Sequence, residues 1–167
     1  MMAITAADAK PLKVCFKTAD GKHYLERGTS GRHLRAVARR CKGDAVFLFR
    51  DAKNPKTTPS FGKAVTLYAA KTKRYVWMNV KKKAAFASRK KVKMRDKRFF
   101  FQINRASGSG GGGGAPLSGG DRVSMRSFVK GIPAFVPDGG DNSLTFGKPP
   151  KYKANWGTFT IINAYKR

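Results

Sequence analysis

With 167 residues, 41% of them apolar, the chain is long enough for one well-packed domain and too apolar to be a disordered basic tail. Its 36 Lys and Arg against 9 Asp and Glu give a formal charge of +27, well beyond the magnitude of about 2 to 8 that keeps a small domain soluble. A merely solubilising surface accounts for it poorly; charge of this size asks for a polyanion, which means nucleic acid, anionic glycan or anionic lipid.

Residues 1–13 read as an N-terminal extension. Its start, MMAITAADAK, has no charged head followed by an apolar core, so the expectation is a protein that is not conventionally secreted. It would work in the cytoplasm, the nucleus or an organelle, or within a virus particle. No run approaches the length of a membrane span.

From Val14 onward the sequence repeats itself three times. Unit one, about residues 14–50, has apolar runs at Val14–Phe16, Tyr24–Leu25, Leu34–Val37 and Val46–Phe49. Unit two, about 65–103, has them at Val65–Ala69, Tyr75–Met78, Ala84–Ala87 and Phe99–Ile103. Unit three, about 122–162, has them at Val123–Met125, Ile132–Val136, Leu144–Phe146 and Phe159–Ile162. Val14 to Tyr24, Val65 to Tyr75 and Val123 to Pro133 are each ten residues apart; the step on to Leu34, Phe86 and Leu144 is ten or eleven, and that to Phe47, Phe100 and Phe159 is 13 to 15. Runs this short, separated by Gly, Lys, Asp and Asn, predict strands joined by turns. His33–Arg40 comes nearest to a helix and covers only two turns. Twelve strands in three four-strand units predict an all-β chain, a β-trefoil of one domain over 14–162, in which three units close a barrel that none could close alone. The closing runs FLF, FFF and FTI are expected to be core rather than a base-stacking platform. The connection 51–64 and the Gly-rich stretch 104–121, with five consecutive glycines at Gly110–Gly114, read as surface insertions, and 163–167 as a basic tail.

The run Lys73-Arg74-Tyr75-Val76-Trp77-Met78-Asn79 followed by Ala85-Phe86-Ala87-Ser88 resembles the growth-factor pattern G/K-R-Y-x-x-M-N ahead of G-x-L-Y-A-S. His23-Tyr24-Leu25 is similar to the K-Y-L strand of fascin-like units. The chain thus resembles the fascin-like and fibroblast-growth-factor-like β-trefoils, in architecture over about Val14–Ile162 and residue by residue over some sixteen positions. The resemblance implies fold more than function. After Ser88 the sequence reads RKKVKMRDKRFFFQI, where a growth factor continues toward a Glu-Cys strand and an Asn-x-Tyr-Asn turn. Trp77 and Trp156 lack the Gln partner of ricin-type sugar-binding repeats. Receptor and sugar binding are therefore not implied; actin bundling, as in fascins, stays open.

The charge is uneven. Between Lys71 and Arg98 there are thirteen Lys or Arg and one acid, Asp96. Lys81, Lys82 and Lys83 fall in the predicted turn between the second and third strands of unit two. Arg89, Lys90, Lys91, Lys93, Arg95, Lys97 and Arg98 fall between its third and fourth strands. Both clusters are expected to rise from one region of the surface. Arg39, Arg40 and Lys42 occupy the corresponding third-to-fourth connection of unit one; Lys148, Lys151 and Lys153 occupy it more sparsely in unit three. Basic turns without interleaved acids suit phosphate contact, which positions a nucleic acid without reading its sequence. No RNA-binding stacking surface is visible, because the aromatics are assigned to the core. Nuclear import and anionic-lipid binding match the basic runs less well, the latter for want of an amphipathic helix.

Chemistry beyond binding finds no support. His23 and His33, even with Cys15 and Cys41, match none of the usual zinc spacings. No pair of acids is spaced for acid–base work, and Gly110–Gly114 has no following Gly-Lys-Ser/Thr. No cofactor and no metal are expected. A disulfide between Cys15 and Cys41 is possible, but both read as free thiols in a reducing compartment. The sequence therefore predicts a non-enzymatic, polyanion-binding structural protein of a large nucleic-acid-containing assembly, a ribosome or other ribonucleoprotein or a large virus particle, with RNA or DNA backbone and neighbouring proteins as partners. The alternative is a free-standing fascin-like actin binder or a heparin-type glycan binder.

Overall fold

A computed structural model describes residues 12–27, 33–53, 60–105, 120–137, 143–148 and 156–163. Among these the fold is all-β. Twelve strands join in one antiparallel sheet: β1 Leu12–Lys17, β2 Tyr24–Glu26, β3 Arg35–Ala38, β4 Phe47–Asp51, β5 Ala64–Ala69, β6 Arg74–Asn79, β7 Ala84–Arg89, β8 Phe101–Arg105, β9 Arg122–Ser127, β10 Ala134–Phe135, β11 Thr145–Phe146 and β12 Phe159–Asn163. Two 3₁₀ turns, Gly43–Ala45 and Lys97–Phe99, precede β4 and β8. Most of the Gly-rich insertion (106–119), residues 1–11, the tail from 164, and Lys151 and Lys153 lie outside the described residues.

Six strands close a ring. β1 pairs with β4, β4 with β5, β5 with β8, β8 with β9, β9 with β12, and β12 with β1. Closure removes the open sheet edges that would otherwise template aggregation. The other six strands form the hairpins β2–β3, β6–β7 and β10–β11. The hairpins touch each other: Leu34 donates its N–H to the Ala85 carbonyl at 2.8 Å, Leu144 donates to Leu34 at 3.0 Å, and Thr145 pairs with Ala84.

In β4, β8 and β12 the core fills the ring by alternation, since successive strand residues face opposite sides. Phe47 and Phe49, Phe101 and Ile103, and Phe159 and Ile161 are buried, while the intervening Leu48, Gln102 and Thr160 are half-exposed. The Phe16 ring meets Phe49 edge-on at 5.1 Å and Phe159 at 6.4 Å, so three barrel strands share one aromatic contact. Phe99 and Phe100 are buried elsewhere. With Ala52 they form a second apolar cluster, against which Tyr75, Trp77, Val92 and Phe128 pack. The 3₁₀ turn ending at Phe99 breaks the alternation ahead of β8, so the first two residues of FFF leave the barrel and only Phe101 enters it.

The predicted run Leu34–Val37 is realised as β3, Arg35–Ala38, with Leu34 and Ala36 buried and His33, Arg35 and Val37 half-exposed. Pairing with β2 overrides its weak helical pattern. Cys15 and Cys41 are not free thiols: they form a disulfide across 26 residues, with Cα atoms 5.7 Å apart. β4 pairs directly with β1, so the connection leading into β4 brings Cys41 beside the buried Cys15. Sequence spacing carries no trace of that proximity.

Candidate nucleic-acid interface

The β6–β7 hairpin carries the densest charge, and its register sets where that charge lies. Asn79 pairs with Ala84 at one end and Tyr75 with Arg89 at the other. At roughly 3.4 Å per residue the ends are about 14 Å apart. The turn lysines therefore stand at one end of the hairpin, and Arg89 with the segment after it at the other.

At the turn end stand Lys81, Lys82 and Lys83, all exposed. Asn79 shapes the turn, its Oδ1 accepting from the Lys82 N–H at 3.1 Å. Lys83 adopts the left-handed conformation, φ 52°, where a side chain costs about 1–2 kcal/mol relative to ordinary backbone. Its carbonyl is held there by the Phe146 N–H at 2.9 Å. The Lys82 ammonium lies 5.6 Å over the Phe86 ring. His33, hydrogen-bonded to the Ser143 hydroxyl, lines with Lys82 and Lys83 a cleft of about 360 Å³.

The open end is built differently. Val76 and Met78 face the core, so Tyr75 and Trp77 must face outward. The segment after Arg89 folds back over them, anchored by Val92 and Phe99 in the second apolar cluster. Asp96 organises its return. Its Oδ1 accepts from the backbone N–H of Arg98 at 3.0 Å, which caps the Lys97–Phe99 turn. Its two oxygens also take a bidentate grip on the Arg98 guanidinium, at 2.9 Å to Nε and 2.8 Å to Nη2. That grip lays Arg98 over the Trp77 indole at 4.8 Å, and Arg89 lies over the same ring at 4.4 Å. The result is a cleft of about 410 Å³ whose apolar part is Trp77 and Phe99. Arg89, Lys90, Lys91, Lys93 and Arg98 supply its charge, and Asp96 its one carboxylate among the described lining residues.

Of the sequence-predicted residues, five thus converge on the Trp77 cleft. Arg95 and Lys97 are exposed on the same segment outside the cleft. Lys81, Lys82 and Lys83 form the far end. Arg39, Arg40 and Lys42 are exposed on the connection held by the disulfide. Among the described residues Lys81, Lys82, Lys83, Arg89, Lys90 and Lys91 make no ion pair, so their charge is available to a ligand. Sequence reading missed Trp77 and Asp96. The strand alternation around Val76 and Met78 already sends Trp77 outward; the fold-back that makes a cleft above it has no comparable signal.

The hydrogen bonds from Arg98 hold the Asp96 carboxyl below the usual aspartate range, and Asp96 in turn raises Arg98. A lowered carboxyl contributes stability above its unfolded-state value, near pH 4, and loses it as pH falls through its folded value. Asp96→Ala should cost about 1 kcal/mol at pH 6, the usual worth of a cap. The gap between variant and wild type in urea unfolding should narrow as pH falls below the usual aspartate range. A gap independent of pH would mean that Asp96 acts through packing alone.

No family model matches the sequence, and no curated protein does. Solved structures do. The chain has the fold of an SDF2-like protein. That protein, from Arabidopsis thaliana, superposes with a TM-score of 0.71 over 91% of this chain and 92% of its own, at 9% identity. A Caenorhabditis elegans protein of unknown function superposes with a TM-score of 0.68 over 92% and 94%, at 10% identity. At such identity the likeness is one of fold and carries no site.

Proposed function

We propose that the chain is a β-trefoil that binds nucleic-acid phosphate as a non-enzymatic structural component of a large assembly, a ribonucleoprotein or a virus particle. Three sequence units that each contribute two ring strands and one hairpin, in the same order, support the trefoil reading. One observation carries the functional reading: the two ends of a single hairpin gather Lys81, Lys82, Lys83, Arg89, Lys90 and Lys91, which pair with no carboxylate among the described residues. Phosphates along a nucleic acid supply the missing counter-charge, and release of their condensed ions makes such binding strongly salt-dependent. Work inside the cell or within a particle is part of the same proposal.

The test is sedimentation of the native protein from its source, with and without nuclease and at rising salt. Co-sedimentation with a particle that nuclease disperses supports a ribonucleoprotein, and with one that resists nuclease a viral shell. Migration as a free 18.3 kDa chain would overturn the assembly reading and move it to the actin or glycan binder.

A further inference from the structure

We infer that the Trp77 cleft accepts one unstacked nucleotide, so that the proposed polyanion is single-stranded nucleic acid rather than a duplex. The inference rests on the nucleic-acid reading above and adds the strandedness of the ligand.

Three features lead there. The first is size: about 410 Å³ falls within the roughly 300–1,000 Å³ of small-ligand sites and suits one nucleotide. A duplex keeps its base faces stacked and exposes only phosphate, sugar and base edges, so it can touch the lysines while leaving a stacking cleft unused. The second is the division of labour between the arginines. Nε and Nη2 of Arg98 are already engaged by Asp96. That guanidinium is therefore used less as a fork for phosphate than as a flat cationic plate, fixed on the Trp77 ring. Arg89 adds a second plate on the same indole, 4.4 Å from its centre. Planar arginines and aromatics are what an unstacked base stacks on in single-strand binders, whatever its identity. The third is the arrangement of charge around this layer: Lys90, Lys91 and Lys93 line the same cleft, placed for the phosphates on either side of a bound base. An ordinary phosphate-tracking surface has no need of a carboxylate; here the one acid of a thirteen-cation stretch serves to orient a stacking plate.

The experiment compares three probes of equal length: a single-stranded oligonucleotide, its duplex, and inorganic polyphosphate, which has charge and no bases. Arg89→Lys with Arg98→Lys keeps the charge and removes the plates. Single-strand affinity should fall about tenfold in this variant, while polyphosphate affinity stays unchanged. Trp156→Phe leaves Trp77 as the sole tryptophan. In that background the single strand should quench Trp77 emission and polyphosphate should not, a readout that needs no change in the cleft. Equal binding of single strand, duplex and polyphosphate, with no Trp77 quenching and no loss in the arginine variant, would overturn the inference and leave phosphate binding standing. Failure to bind all three would remove the nucleic-acid reading itself.

Discussion

Replacing Lys81, Lys82, Lys83, Lys90 and Lys91 by Gln should leave a folded protein whose affinity for nucleic acid drops by about two to three orders of magnitude at 0.1 M salt. Each phosphate contact contributes about 0.7 to the slope of log affinity against log salt for a single strand. Five lost contacts should therefore flatten it by up to about 3.5. The side chains are exposed and make no ion pair among the described residues, so little is lost beyond the Lys82 contact with the Phe86 ring. Lowering a charge of +27 by five also relieves self-repulsion. Unfolding by urea should accordingly move little or rise, which separates a binding defect from a folding one. The two ends can be taken apart, Lys81–Lys83 in one variant and Lys90 with Lys91 in another. At about 14 Å they lie beyond the range of direct coupling, and their effects on log affinity should add. Binding that survives the five-fold change would place the interface elsewhere.

The second large effect concerns the Cys15–Cys41 bond. Its cysteines are 26 positions apart, and the chain-entropy account of cross-links gives about 3.5 kcal/mol for such a loop. Against a total of about 5–15 kcal/mol for a domain, that is a substantial share. Cys15→Ser with Cys41→Ser should lower the melting temperature by about 6–12 °C. Reductant should lower that of the wild type similarly and leave the variant where it is. A wild type indifferent to reductant would mean that the pair is not bonded in solution or stores no stability. Because Arg39, Arg40 and Lys42 flank Cys41, losing the bond should also slacken whatever hold unit one has on a polyanion.

Much of this was legible in the sequence, in proportion to how local its cause is. The runs around Val14, Val65 and Val123 alternate or cluster as strands do, and β1, β5 and β9 stand where they predict. The inward role of Phe47, Phe49, Phe101 and Phe159 follows from the same period. What was not legible depends on residues far apart in the chain meeting. Cys15 reaches Cys41 only because β4 lies beside β1. Phe99 and Phe100 leave the barrel only because Asp96 and Arg98 wind a 3₁₀ turn ahead of them. The site divides likewise. Its lysines announce themselves by composition, whereas Trp77 gains its place from a segment that folds back across it. Lys83 is a case of conflict: its turn favours glycine, and the sequence puts a cation there instead.

Ring closure has a consequence for how the chain is made. The last strand of the ring, β12, pairs with the first, β1. During synthesis β1 therefore emerges long before its partner and carries a row of unpaired amides and carbonyls until β12 follows. Contacts of such high sequence separation fold slowly, and the interval invites edge-to-edge pairing between nascent copies. Those copies, however, are all strongly cationic and repel one another. The charge assigned above to holding a polyanion would then serve earlier as a chaperone of the chain's own, keeping the open edge of β1 free for the strand that completes it.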